Sequence, residues 1–158
     1  MVRPGVTEAE VWAALGELTD PEIPTLSLVD LGVIRDVEVG DRIVVRFTPT
    51  FLGCPAVDRM KRDIEERLSV YGPVEVVVDH AHPWTPERLS ERGKLMLSLA
   101  GFALPEELGA ELEHKAPAAC PHCGSRATTL INRFGPTACR AIGYCNDCRQ
   151  PFEIFKVV

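Results

Sequence analysis

The stretch "RFTPTFLGCPAVDRMKRDIEERL", residues 46–68, decides how the front of this chain folds. Its start continues "RIVVRFT" (42–48), where Ile43, Val45 and Phe47 alternate with Val44 and Arg46 in the period of two that puts one set on a buried sheet face. From Val57 the period changes. Val57, Met60, Ile64 and Leu68 stand three or four residues apart with charges between them, as in an amphipathic helix, and Pro55 suits its first turn. On the turn between strand and helix sits Cys54, far from every other cysteine. A thiol ahead of a helix meets the positive end of the helix dipole and exposed N–H groups, which favour the thiolate. On the residues alone, a small structural filler competes with that reading.

Working outward, Thr7 and Glu10 form a capping-box pattern ahead of Val11, Ala14, Leu15 and Leu18, so a first helix starts near residue 8. The two prolines of "TDPEIPTLSLVDLG" (19–32) rule out a regular helix and predict an ordered loop pinned by Leu26, Leu28 and Leu31. Asp20 and Glu22 of this loop are candidate site carboxylates; an Asp20 that only bonds nearby backbone is the alternative. "VIRDVEV" and "RIVVRFT" flank Gly40-Asp41 and read as a β-hairpin, and "GPVEVVVD" (72–79) reads as a third strand. "PWTPERLSERGKLMLSLAG" (83–101) reads as a further helix, with Thr85 as N-cap, Pro86 at the first position and Trp84 stapled on Leu89. The order helix-strand-strand-helix-strand-helix implies an α+β fold, a small α/β sandwich with its helices on one sheet face. This first domain is placed at 1–104, a linker at 105–118 and a second domain at 119–158.

The second domain is marked by "CPHCGSRATTLINRFGPTACRAIGYCNDC" (120–148). Cys120 with Cys123, and Cys145 with Cys148, form two Cys-x-x-Cys knuckles. Each puts two sulfurs on a tight turn, and two facing turns make a tetrahedral site. "TTLINRF", "CRAIGYC" and "FEIFKVV" supply strands for a short antiparallel sheet, so the module reads as a zinc ribbon. A disulfide pair, a redox site or an iron-sulfur cluster are the competing uses of four such cysteines. Cys139 is a fifth thiol here, either a buried strand residue or a spare ligand, and His122 reads as a solvated turn residue. His80 and His82, beside Asp79 in "VDHAHPW", are a weaker metal pair that an ordinary loop explains as well.

The 158 residues, 46% hydrophobic and 25% charged, are ordinary globular composition. No apolar run approaches the roughly 20 residues of a membrane span, and "MVRPGVTEAE" lacks signal-peptide character; a cytoplasmic protein with no membrane partner is expected. A net charge of −6 argues against nucleic acid as the main partner. Residues 117–158 carry +3 and the rest −9, but a zinc site of four thiolates adds about −2 and leaves the tail nearly neutral.

"LTDPEIPTLSLVDLGVIRDVEV" followed by "TPTFLGCPAVDRMKRDIEERL" resembles the small SufT-like domain of iron-sulfur assembly factors. With "CPHCGS" and "FGPTACRAIGYCNDCRQPFEIFKVV" attached, nearly the whole chain resembles the PaaD family, accessory proteins of the phenylacetyl-CoA ring-oxygenase (epoxidase) complex. The segment "PWTPERLSERGK" is poorer in Trp and Asp than the family pattern, and Pro136 replaces a serine. The resemblance implies a role in building or repairing the complex's metal centres, the di-iron site of the oxygenase or the iron-sulfur cluster of its reductase. It implies that Cys54 is the functional thiol, holding iron or a cluster transiently, with the loop of Asp20 and Glu22 nearby. One thiolate is few ligands for a cluster, so a homodimer is one arrangement. The partners so implied are oxygenase and reductase subunits or iron-sulfur assembly proteins. The chain has no Glu-x-x-His metal motif on a long helix and no Cys-His pattern that marks a catalytic pair, so no catalytic residue is assigned, and an integral oxygenase subunit or a thiol-dependent enzyme is the competing reading.

Overall fold

The Thr7 hydroxyl accepts the Glu10 amide at 3.2 Å while the Glu10 carboxylate accepts the Thr7 amide at 2.9 Å, and this capping box starts helix α1 (Glu8–Leu15). The computed structural model describes residues 1–51, 53–104, 118–137 and 139–155. Two compact units divide it, Met1–Gly93 and Lys94–Val158.

In the first unit a one-turn helix α2 (Leu28–Leu31) leads to β1 (Ile34–Val39), β2 (Ile43–Phe47), helix α3 (Val57–Leu68) and β3 (Val74–Val78). The sheet runs β1-β2-β3, with β1 antiparallel and β3 parallel to β2. The crossover from β2 to β3 passes through α3, as a parallel pair requires. Ile43, Val45 and Phe47 are wholly buried, as are Ile64 and Leu68 of α3 and Val11 and Leu15 of α1. The other sheet face carries ion pairs of Arg46 with Asp36 and Glu38, and of Arg42 with Glu75. One apolar face and one charged face give the strands their alternation.

Local details depart from the sequence reading. The hairpin link has three residues, 40–42, because Val39 pairs with Ile43. Pro55 precedes α3 rather than entering it; Ala56 is the N-cap residue. The proline-rich loop does contain a helical turn, α2, because the Ser27 hydroxyl accepts the Asp30 amide at 3.0 Å beyond the reach of Pro24. The helix expected from residue 83 is broken. Pro86–Arg88 make a 3-10 turn, Leu89 is extended, and α4 begins anew at Glu91–Leu99, where the Ser90 hydroxyl accepts the Gly93 amide at 2.8 Å. Thr85 makes no side-chain cap.

The break follows from how this segment binds the turn after α2. Trp84 Nε1 donates to the Leu31 carbonyl at 2.8 Å, Arg88 Nε to Gly32 at 2.8 Å, and Ser90 Oγ to Asp30 Oδ1 at 2.7 Å. Gly32, with φ of 76°, permits the approach: a Cβ there would stand 2.2 Å from the Arg88 carbonyl oxygen. A continuous helix would not present all three side chains to one short turn.

The second unit holds a four-stranded sheet, β4 (Phe102–Ala103), β5 (Thr128–Asn132), β6 (Arg140–Cys145) and β7 (Pro151–Phe155), in the order β4-β7-β6-β5. The expected ribbon strands are β5, β6 and β7. Strand β4 is the addition: it pairs parallel to β7, through Phe102 with Glu153 and Ala103 with Ile154, and so carries residues of the expected first domain into the second unit. Ala141, Cys145, Phe152 and Ile154 are buried in this unit's core, with Gly143 facing the Phe152 ring so closely that a Cβ would come within 2.7 Å. The linker expected at 105–118 lies outside the described residues except for Ala118, as do residues 156–158 of the last segment.

Candidate functional site

Two regions carry the chemistry that the sequence singled out. In the second unit both cysteine knuckles have the same backbone. The Gly124 amide returns to the Cys120 carbonyl at 2.8 Å and the Arg149 amide to the Cys145 carbonyl at 2.9 Å. In turn Cys120 N bonds Ser125 O at 2.9 Å and Cys145 N bonds Gln150 O at 3.0 Å. The turns are tied across by a hydrogen bond from Ser125 Oγ to the Asp147 carboxylate. Neither residue stood out in the sequence, where they are only the second residue after one knuckle and an inner residue of the other.

The sulfurs of Cys120, Cys123, Cys145 and Cys148 all lie within 4.8 Å of one another, with Cys120–Cys148 at 3.7 Å and Cys123–Cys145 at 3.5 Å. A tetrahedral zinc with bonds of about 2.3 Å needs sulfurs roughly 3.8 Å apart, so the four fit a single ion of that kind. They are too far apart for disulfides, and Cys120 and Cys145 are buried. The thiols do not share one acidity. Amide donation from Cys148 draws Cys145 down to about 7, whereas burial pushes Cys148 up to about 12. At Cys123 the Ser125 amide lowers the pKa, but the Cys145 contact and burial leave it raised. A metal must therefore displace protons on entry.

Cys139 stands outside the four. It is buried, with its sulfur 3.0 Å from Thr137 Oγ1, but it sits in the turn just ahead of β6 rather than in a strand. The ring of His122 is exposed on its knuckle, with Nε2 3.3 Å from the Pro151 carbonyl oxygen.

The second region is one edge of the first unit's sheet. Ile34 pairs with Phe47, and Phe47 with Val78, so the start of β1 and the ends of β2 and β3 are level. Two hydrogen bonds extend this edge, Thr48 N to Val33 O and Asp79 N to Phe47 O, each 2.8 Å. From it departs the loop bearing Cys54, which is half-buried; its amide bonds Phe51 O at 3.0 Å and its carbonyl accepts from Val57 N at 3.4 Å. The N-terminus of α3 that follows has no side-chain cap, so its first amides face the loop's end. The C-terminal edge of parallel strands is where open α/β sheets build sites.

Asp20 behaves as the backbone-bonding alternative expects. Its Oδ1 accepts the amides of Glu22 at 2.8 Å and Ile23 at 3.0 Å, closing a turn that leads through α2 to β1. Glu22 is half-buried beside it. Of the two histidines, His82 is joined to Asp79, with Nδ1 2.8 Å from Oδ2, while His80 is exposed. Sequence spacing did not separate them, since a loop contact between residues three apart has no period.

Comparison with known proteins matches both regions. Residues 105–156 fit the family model of the PaaD zinc beta ribbon domain, and residues 8–78 that of the iron-sulfur cluster assembly protein. An Escherichia coli (strain K12) protein described as a putative subunit of 1,2-phenylacetyl-CoA epoxidase is 38% identical over 152 residues, covering 94% of this chain and 92% of its own. A solved domain of unknown function from Bacillus anthracis is similar over 58% of this chain and 92% of its own, at 31% identity and a TM-score of 0.55. A conserved hypothetical protein from Thermotoga maritima is similar over 55% of this chain and 89% of its own, at 34% identity and a TM-score of 0.49.

Proposed function

The chain belongs to the PaaD family, and on that premise we propose that it is a maturation or repair factor for the metal centres of a phenylacetyl-CoA epoxidase complex. The observation that carries this reading is the joining, in one chain, of an iron-sulfur assembly fold with a thiol at the working edge of its sheet and a separate four-cysteine ribbon. The ribbon's four sulfurs satisfy one structural zinc and leave no ligand over for a cargo. Cys54 remains as the thiol that receives iron or an iron-sulfur cluster transiently. Its place ahead of an uncapped helix favours the thiolate, and a single protein ligand makes the cargo easy to give up. Asp20 and Glu22 shape the loop that precedes this edge. The partners are the complex's other subunits, reached through the ribbon, and a second copy of the chain is one source of further ligands.

Metal analysis of anaerobically purified wild type and Cys54→Ser tests the division of labour. One zinc per chain in both, with iron bound only by the wild type, is the expected result. Equal iron in both proteins refutes the role of Cys54.

A second reading, a stoichiometric component of the epoxidase, is favoured by the description of the Escherichia coli relative as one of that enzyme's subunits. It requires that fully metallated oxygenase stay inactive until one equivalent of this chain is added. The maturation reading requires turnover without it.

A further inference from the structure

The outer strands of the front sheet are finished differently. At β1 a bulge breaks the register between Ile34 and Asp36, and Arg88 Nη2 donates to the Ile34 carbonyl at 3.1 Å. Bulges and covering groups of this kind keep an outer strand from pairing with another chain. Strand β3, on the opposite side, has neither. No strand lies outside it among the described residues, and its sequence is Val-Glu-Val-Val-Val.

The hydrogen bonds at the two ends of the β2–β3 ladder show which groups this strand offers. Ile43 N donates to Pro73 O at 2.9 Å and Asp79 N to Phe47 O at 2.8 Å, so residues 73, 75, 77 and 79 turn their backbone groups toward β2. Val74, Val76 and Val78 therefore turn theirs outward. Pro73, which has no amide proton, falls on the inner row and leaves the outer row of donors complete. Side chains alternate too: Val76 is buried in the core, whereas Glu75 and Val77 lie on the charged face, with Val77 38% exposed.

Charge then decides which strand fits and in what register. Set antiparallel against a second copy, with Val76 opposite Val76, the outward rows coincide: Val74 meets Val78, and Glu75 meets Val77. A slide of two residues is the least that keeps the outward groups matched, and it brings Glu75 against Glu75 in one direction and against Asp79 in the other. Like charges directly opposite one another repel. In the register centred on Val76 no carboxylate faces another, and each Glu75 is already held by Arg42 of its own chain at 2.8 Å.

We propose that the chain forms a two-fold dimer through β3, joining the three-stranded front sheets of two copies into one continuous sheet. Each facing pair of outward valines exchanges two main-chain hydrogen bonds. The same patch serves both copies and β1 is blunted, so strand pairing stops at two chains. Antiparallel pairing leaves the two Cys54 loops at opposite ends of the joined sheet, so this contact is separate from any that lends Cys54 a ligand.

Sedimentation of the zinc-loaded full chain over a range of concentrations is the test, with far-ultraviolet circular dichroism as a check on folding. Wild type is expected to be in monomer–dimer equilibrium. Val77→Glu, which sets two carboxylates opposite one another twice by symmetry, is expected to weaken the dimer by about tenfold or more. Val77→Lys sets an ammonium opposite each Glu75 and is expected to leave the dimer as tight as wild type or tighter. Equal weakening by both variants, or a dimer indifferent to Val77→Glu, overturns the β3 register. Wild type that stays monomeric at its highest soluble concentration overturns the dimer, even if β3 then proves to pair with a strand of another protein.

Discussion

Arg149 holds a φ of 59° at the place in its cysteine knuckle that Gly124, at 76°, holds in the other. Each follows the second cysteine of its pair, and each sends its amide back to the carbonyl of the first. The ribbon therefore builds one turn twice, with the left-handed residue a glycine in one copy and a strained arginine in the other.

That asymmetry sets the first prediction. Arg149→Gly should stabilise the zinc-loaded chain by roughly 1 kcal/mol, and Gly124→Ala should destabilise it by roughly 1 kcal/mol, since a Cβ at Gly124 meets nothing within 4 Å and only the backbone is strained. Urea unfolding at fixed free zinc measures both. A loss of stability in Arg149→Gly, or a gain in Gly124→Ala, would contradict it.

Zinc affinity should climb steeply with pH. Cys148, raised to about 12, and Cys123, also raised, hold protons near neutral pH in the metal-free chain, and zinc takes the thiolates. Binding then expels at least about two protons per ion, and the apparent affinity rises about a hundredfold or more per pH unit. Lowering the pH favours the thiols and releases the metal. Calorimetry of zinc binding in buffers of different ionisation heat counts the protons; a count near zero contradicts the expectation.

The segment laid over the turn after α2 should be intolerant at its closest approach. Gly32→Ala combines a positive φ with a Cβ 2.2 Å from the Arg88 carbonyl oxygen, and should cost at least about 2 kcal/mol. Trp84→Phe keeps the ring but leaves the buried Leu31 carbonyl short of its donor, at about 1–2 kcal/mol. Denaturant midpoints of the two variants give the comparison.

The two faces of the front sheet should respond in opposite ways. Ile64→Ala removes most of a wholly buried side chain from the helix side of the core and should cost about 2–5 kcal/mol. Arg46→Ala removes exposed ion pairs with Asp36 and Glu38 and should leave the thermal midpoint nearly where it was. A large loss from Arg46→Ala would mean that the charged face is covered by a partner.

What could be read in the sequence was what carries a period or a fixed spacing. The change from alternation to helical spacing between Phe47 and Val57 placed β2 and α3, Thr7 and Glu10 placed α1, and the two Cys-x-x-Cys turns placed the ribbon. Strand β4 was hidden because two residues have no pattern; Phe102 and Ala103 are strand only because β7 lies beside them. Helix α2 did leave a trace, Ser27 three residues before Asp30, which the nearby prolines outweighed. The break at Leu89 comes from tertiary hydrogen bonds of Trp84, Arg88 and Ser90, and helical propensity gives no warning of it. The level ends of β1, β2 and β3 follow from sheet order, and local sequence does not encode that order.

The central claim is that Cys54 serves the metal centres of a client oxygenase, and the most direct measurement is made on that client. The epoxidase complex is purified from cells whose only copy of this chain is wild type or Cys54→Ser, and its iron content and turnover are measured alongside the zinc content of the chain. The account predicts a variant that retains its zinc and accumulates normally while the epoxidase is iron-poor and inactive in proportion. Epoxidase with full iron and full turnover in the Cys54→Ser cells would contradict it.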